Sequence, residues 1–211
     1  MEQLTGIPVS PGVAIGTAYV LHSDISFNIP AHAINDTDVW KEIARFEDAL
    51  TRTRAEILGI RKKIATQIGR ESSDIFNAHL MILEDRTLIE DVIGIIKEKK
   101  VNCEHAFATV LQRYFAAFSQ INDEYLKERI ADIRDIGKRI LHNLYGSEKE
   151  FEKIDQKGIV ISHDLSPSDT AAMEKDKVLA FVTEIGGPTS HTAIWGVPWK
   201  FLPLSGWRIS R

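Results

Sequence analysis

The 211 residues are enough for one large domain or two small ones, each with a core of its own. Hydrophobic residues at 44% and charged residues at 27% describe a water-soluble globular chain, and no apolar run approaches the ~20 residues that span a bilayer. The net charge of −4 argues against a nucleic-acid binder, whose basic patch would dominate, and suits a basic protein partner better. The single cysteine, Cys103, excludes an intrachain disulfide, and Met1–Ile7 lacks the basic and apolar regions of a signal peptide. Both features point to a reducing compartment, the cytoplasm.

Leu4 to Leu21 is rich in Val, Ile, Gly and Thr and is punctuated by Pro11, Gly12 and Gly16, which predicts two short strands with turns. Ser23–Ile34 has no clear period and reads as a linker. Apolar residues then recur at Val39, Ile43, Phe46, Leu50, Ile57, Ile60 and Ile64, the stripe of a long helix. Asp36, Thr37 and Asp38 offer caps at its start, and Gly69 a stop. Further helices are predicted over Ser73–Leu83, Arg86–Glu98, Cys103–Ser119 and Asp123–Leu144. The short gaps favour antiparallel neighbours in a bundle, each helix packing through its apolar stripe. Within it Cys103, close to Ala106 and Phe107, reads as a small core residue rather than a reactive thiol.

After Gly146 the period changes. Gly158–Ser162 and Val178–Thr183 are β-rich, Ser166–Thr170 opens a helix with Pro167 in its first turn, and Gly186–Gly187 leads into a further loop and helix. Alternating strands and helices predict an α/β layer. Two strands at the start of the chain are not stable alone, so they are expected to join this sheet. The fold class is therefore α/β plus α. A discontinuous α/β domain, residues 1–22 and 146–194, carries an antiparallel helical bundle inserted at 35–145.

The chemically informative segment is Gly186-Gly187-Pro188-Thr189-Ser190-His191-Thr192. Two glycines let backbone approach a ligand closely, and free amides at a helix start attract an anion. An imidazole in that first turn is nucleophilic near neutral pH, and Thr189, Ser190 and Thr192 add hydroxyls that can orient ring or phosphate. The same residues also make a plain capped helix with a half-exposed histidine. No other His or Cys lies at zinc-ligand spacing, so no metal site is expected. A serine-hydrolase arrangement fails because adjacent Ser190 and His191 do not form the nucleophile–base pair and no G-x-S-x-G is present.

Gly-Gly-x-Thr-Ser-His resembles the signature of the phosphohistidine domain shared by enzyme I of the bacterial phosphoenolpyruvate:sugar phosphotransferase system, pyruvate phosphate dikinase and phosphoenolpyruvate synthase. Ser10–Gly16, Phe76–Asp85 and Asp123–Arg139 are similar to enzyme I in particular, and the likeness spans residues 1–194. The dikinase swivelling domain fits less well, because it lacks the helical insertion. The resemblance implies that His191 accepts a phosphoryl group on Nε2 from phosphoenolpyruvate and hands it to a histidine of the carrier HPr. It implies that the Thr170 hydroxyl contacts the active imidazole, with Gly186, Gly187, Thr189, Ser190 and Thr192 around the phosphate. Pro188 stands where enzyme I often has arginine, which leaves a nitrogen-related or fused enzyme I paralogue open. The bundle is expected to dock HPr through a face containing Phe76, His79, Leu80, Leu83, Glu84 and Asp85. Helical spacing allows Phe76, Leu80 and Leu83 to be core instead, and the alternating charges of 123–139 to be a solvated, ion-paired face.

Enzyme I has a second half, a barrel that binds phosphoenolpyruvate and Mg²⁺ and makes the homodimer, and nothing in this sequence resembles it. The chain is expected to need no cofactor of its own, to exchange phosphate with phospho-HPr, and to lack phosphoenolpyruvate-dependent activity. The alternative is an inactive remnant that only binds HPr. The last residues, 195–211, hold three of the four tryptophans and no acidic residue, unlike the family. Suitable codons for Trp195–Ser210, read one nucleotide out of frame, spell MGRSLEIPAVVGLEDI, close to the family's continuation. A one-nucleotide deletion just after Ile194, in the gene or the sequencing read, is the expectation. Pro198 and Pro203 are expected to keep this tail from supplying a central strand.

Overall fold

The computed structural model describes residues 4–8, 11–21, 27–67, 69–119, 124–146, 154, 156–174, 176–184 and 202–209, with 4–5, 71–72, 119, 124–129 and 202–209 as backbone only. The chain divides into two compact units, one of residues 1–24 and 148–211, the other of residues 25–147.

In the helical unit a 3-10 turn at Asp36–Asp38 leads into α1 (Val39–Gln67). There follow α2 (Arg70–Ser73), α3 (Ile75–Leu83), α4 (Arg86–Lys99), α5 (Cys103–Ser119) and α6 (Glu124–Tyr145). Gly69, at φ +130°, lets the chain leave α1, and its N–H closes on the Ile64 carbonyl. The buried stripe of α1 is Glu42, Phe46, Ala49, Thr53, Ile57 and Ile64. Two of these positions are polar, which an apolar period does not find. Thr53 is accommodated because its hydroxyl donates to the Ala49 carbonyl and accepts from Asn143 on α6. Phe46 and Phe107 meet with ring centroids 5.7 Å apart and join α1 to α5. On α6, Gly137 is required by proximity: a Cβ there would lie 2.6 Å from Leu111 Cδ1.

The stretch read as a linker is in part pinned. Ala33 bridges Val101, the Asn102 side chain accepts from His32 N–H, and the Asn102 N–H donates back to the His32 carbonyl. The alternative of a solvated charged face over 123–139 does not hold at three positions. Asp132, Asp135 and Arg139 are buried, Arg139 pairing with Glu56 of α1 at 2.7 Å.

The second unit holds a five-stranded sheet of order β1-β5-β4-β3-β2, built from β1 (Leu4–Pro8), β2 (Thr17–Leu21), β3 (Gly158–Ser162), β4 (Val178–Thr183) and β5 (Leu202–Ile209). β2, β3, β4 and β5 run parallel, and β1 is antiparallel to β5. A short helix, α7 (Pro167–Ala172), connects β3 to β4. Strands from both ends of the chain thus share one sheet. β3 buries alternate residues, whereas β4 also buries the neighbours Ala180 and Phe181; Val160 and Phe181 are fully enclosed. Gly158 has no room for a side chain, since a Cβ would sit 2.6 Å from the Thr17 carbonyl oxygen and against the Tyr19 ring.

The expectation that the prolines bar the tail from the sheet is corrected here. Leu202–Ile209 is a strand between β1 and β4. Pro203 is opposite Phe181 of β4 but precedes Leu204, the first residue paired with β1. A proline at the start of a strand forfeits one ladder bond at the margin instead of interrupting the centre.

Candidate functional site

The carboxyl edge of the parallel strands is where α/β sheets of this kind carry their ligand sites. β3 ends at Ser162 and β4 at Thr183. The Glu184 N–H donates to the Ser162 carbonyl, so the two strand ends stay joined one residue beyond β4. Their side chains continue the link. His163 Nδ1 is 2.7 Å from Glu184 Oε2, and since a carboxylate only accepts, the imidazole donates.

From the end of β3 the chain turns into α7 through a full capping box. Ser166 Oγ accepts from the Asp169 N–H, Asp169 Oδ2 accepts from the Ser166 N–H, and Pro167 occupies the first turn. The sequence Ser-Pro-Ser-Asp encodes this start, and it places Thr170 on the buried side of α7, fully enclosed. The Thr170 hydroxyl donates to the Ser166 carbonyl at 3.0 Å. Its oxygen keeps lone pairs that can accept from an imidazole N–H. His191, Gly186, Gly187, Thr189, Ser190 and Thr192 lie outside the described residues. Glu184, the last described residue before them, is two positions from Gly186 in sequence.

The six partner-facing candidates of the helical unit are divided by the structure. Phe76, His79 and Leu83 are buried on the inner side of α3. His79 Nε2 lies 3.3 Å from Asp132 and 3.9 Å from Asp135 on α6, and the Phe76 ring packs edge-on against the imidazole. This corrects the expectation that these three side chains form a docking face: they hold α3 against the bundle. Leu80 is half-buried, and Glu84 and Asp85 are exposed. Glu84 pairs with Arg54 at 3.0 Å, and Asp85 caps α4 by accepting the Leu88 N–H. The outer side of α3 also presents Met81, 74% exposed, which sequence reasoning passed over. The signal for it was the apolar run Leu80-Met81-Ile82-Leu83, too continuous for one buried stripe.

Cys103 is a core residue. Burial, with Glu104 and Glu42 close by, pushes its thiol well up, so it stays protonated and inert. Ligand atoms of Glu42, Cys103 and Glu104 do lie within 4.8 Å of one another. Both carboxylates are already engaged. Glu42 accepts the Cys103 N–H at the start of α5, and Arg45 bonds both Glu42 and Glu104. Burial pushes the Glu42 carboxyl up, but the Cys103 N–H and the Arg45 guanidinium outweigh it and hold the group below the usual carboxylate range. The cluster is a cap that ties α1 to α5. Among the described residues, no helix is long and apolar enough to cross a membrane.

Comparison with known proteins places this chain. The N-terminal family of PEP-utilising enzymes matches residues 5–129, and the PEP-utilising enzyme mobile domain matches residues 154–199. The chain belongs to the PEP-utilising enzyme family. It is 42% identical to the phosphoenolpyruvate-protein phosphotransferase of Staphylococcus carnosus over 92% of its own length and 33% of that protein. It is 43% identical to the Enterococcus faecalis protein of the same name, over the same shares. The solution NMR structure of an Enzyme I protein superposes with a TM-score of 0.76 at 40% identity, covering 97% of this chain and 82% of that one. The N-terminal domain of Enzyme 1-Nitrogen superposes at 0.70 and 24% identity, covering 99% and 85%, and shares the fold. The chain spans one third of the length of the phosphotransferases it matches.

Proposed function

We propose that this chain is the phosphoryl-carrying part of a phosphoenolpyruvate-protein phosphotransferase, with His191 the phosphorylated residue and HPr the protein that exchanges phosphate with it. The observation that carries the reading is that Gly186–Thr192 follow β4, which ends at Thr183, closely in sequence and fall within a segment matched by the mobile domain of PEP-utilising enzymes. In the transfer, His191 Nε2 forms a bond to phosphorus as the N–P bond of phospho-HPr breaks, and the reverse step restores it. Thr170, buried and anchored by the capping box, accepts from the ring and fixes its orientation. Glycine amides and the hydroxyls of Thr189, Ser190 and Thr192 receive the phosphoryl oxygens.

HPr docks on the outer side of α3, where exposed Met81 and half-buried Leu80 are rimmed by Glu84 and Asp85. An apolar centre with an acidic rim suits a partner whose patch is apolar and basic. The phosphoenolpyruvate and Mg²⁺ chemistry and the dimer contacts belong to the two thirds of the relatives' length that this chain does not span. Incubation with phospho-HPr carrying a labelled phosphoryl group tests the reading. Acid-labile, alkali-stable label on the chain is expected, and a chain that binds HPr but takes no label would make it a docking remnant only.

A further inference from the structure

We infer that His163 and Glu184 form a clamp across the ends of β3 and β4 that positions the phosphoryl-accepting loop, so that they act as positioning residues for transfer without touching the phosphate. The inference rests on the function proposed above. Three observations carry it. The side chains meet at 2.7 Å, one residue past the end of each strand. The same two strand ends are tied by the Glu184 N–H to the Ser162 carbonyl, and Ser162 Oγ donates to the Asp164 carbonyl, so the β3 side of the clamp is itself braced. Glu184 is two positions before Gly186 in sequence, so it is the last side chain but one before the motif. A small misplacement of a nucleophile costs rate steeply, so whatever fixes the last residue before the motif bears on transfer.

The pair does little for folding. His163 and Glu184 have side chains 45% and 52% exposed, where such a pair contributes almost nothing to stability. Its position at the entrance to the motif, rather than its strength, is the reason to expect a kinetic role. Because the proposed docking surface is on the helical unit, loss of the clamp affects the transfer step and leaves HPr binding alone.

The test is single-turnover transfer from labelled phospho-HPr to the full 211-residue chain, over a range of phospho-HPr concentrations. His163→Ala and Glu184→Ala are each expected to lower the saturating rate about fivefold, which corresponds to about 1 kcal/mol. The half-saturating concentration should stay within about twofold, as for a lost transition-state interaction. Glu184→Gln, whose amide oxygen still accepts from Nδ1–H, should restore most of the rate. The double alanine variant should be no slower than either single one, because both remove one interaction. Wild-type saturating rates in the alanine variants, or losses that multiply in the double variant, would overturn the clamp. His191→Ala is run alongside. If it still takes label at the wild-type rate, the proposed function falls; if it is inert while the clamp variants are normal, only the clamp does.

Discussion

Met81→Ala separates docking from packing on the nine-residue helix α3. The side chain is 74% exposed in the free chain, so it has little to lose in folding and, on the proposed docking, much apolar area to bury against HPr. Full burial of such a side chain is worth about 1.5–3 kcal/mol, and three quarters of that is about 1–2 kcal/mol. The expected effect is a Kd weakened about 5- to 30-fold, the lower part of the range being favoured because docking also immobilises a flexible side chain. Unfolding free energy should change by no more than about 0.5 kcal/mol. Phe76→Ala is the opposite case. Its ring is fully enclosed, and truncation should cost about 3–5 kcal/mol and lower the helical unit's Tm by roughly 10–20 °C. Calorimetric titration with HPr and thermal unfolding followed by circular dichroism give both quantities on the same samples. An unchanged Kd for Met81→Ala, with a weakened Kd for a Phe76→Ala protein of native helicity, would refute the division of α3 into an inner and an outer side.

Glu42 should make the helical unit acid-sensitive. Its folded-state pKa is depressed below the ordinary 4.5, so its contribution is fully present above that value and is lost as pH falls through the folded-state pKa. Glu42→Gln should cost roughly 1–3 kcal/mol at pH 7 and flatten the acid limb of stability below about pH 4.5, measured by urea unfolding across pH. Gly158→Ala should destabilise the sheet by about 1–3 kcal/mol, because its methyl meets the Thr17 carbonyl and the Tyr19 ring, and a neutral result in denaturant unfolding would contradict that packing. Thr170→Val removes the hydroxyl from a site that keeps its volume, and should slow transfer about fivefold, equivalent to about 1 kcal/mol for one hydrogen bond, without changing HPr affinity. Transfer at the wild-type rate would leave the hydroxyl with its helix-internal bond to Ser166 alone.

Most of the architecture could be read from local pattern. The starts of α4 and α7 are written in Asp85 and in Ser166-Pro167-Ser168-Asp169, residues whose capping chemistry acts within a few positions. The change of period after Gly146 marked the passage from helices to sheet. What escaped depends on contacts distant in sequence. Glu42 looks like a solvent residue until the Cys103 N–H arrives from α5, and Asp132 and Asp135 look solvated until His79 comes from α3 to meet them. Phe76, Leu80 and Leu83 have one helical spacing and two possible uses, and only the direction of the bundle decided between them. The tail strand was missed for a different reason. Proline was weighed as a breaker of the strand's centre, whereas Pro203 falls at its margin.

The central claim is that His191 carries the phosphoryl group, and transfer of label from phospho-HPr to the wild-type chain and to His191→Ala tests it most directly. The wild-type chain should take up one acid-labile phosphoryl group, mapped by mass spectrometry to His191, and the variant, with native helicity and HPr affinity, should take up none. Label on His191→Ala at the wild-type level, on whichever of the remaining histidines, would contradict the account.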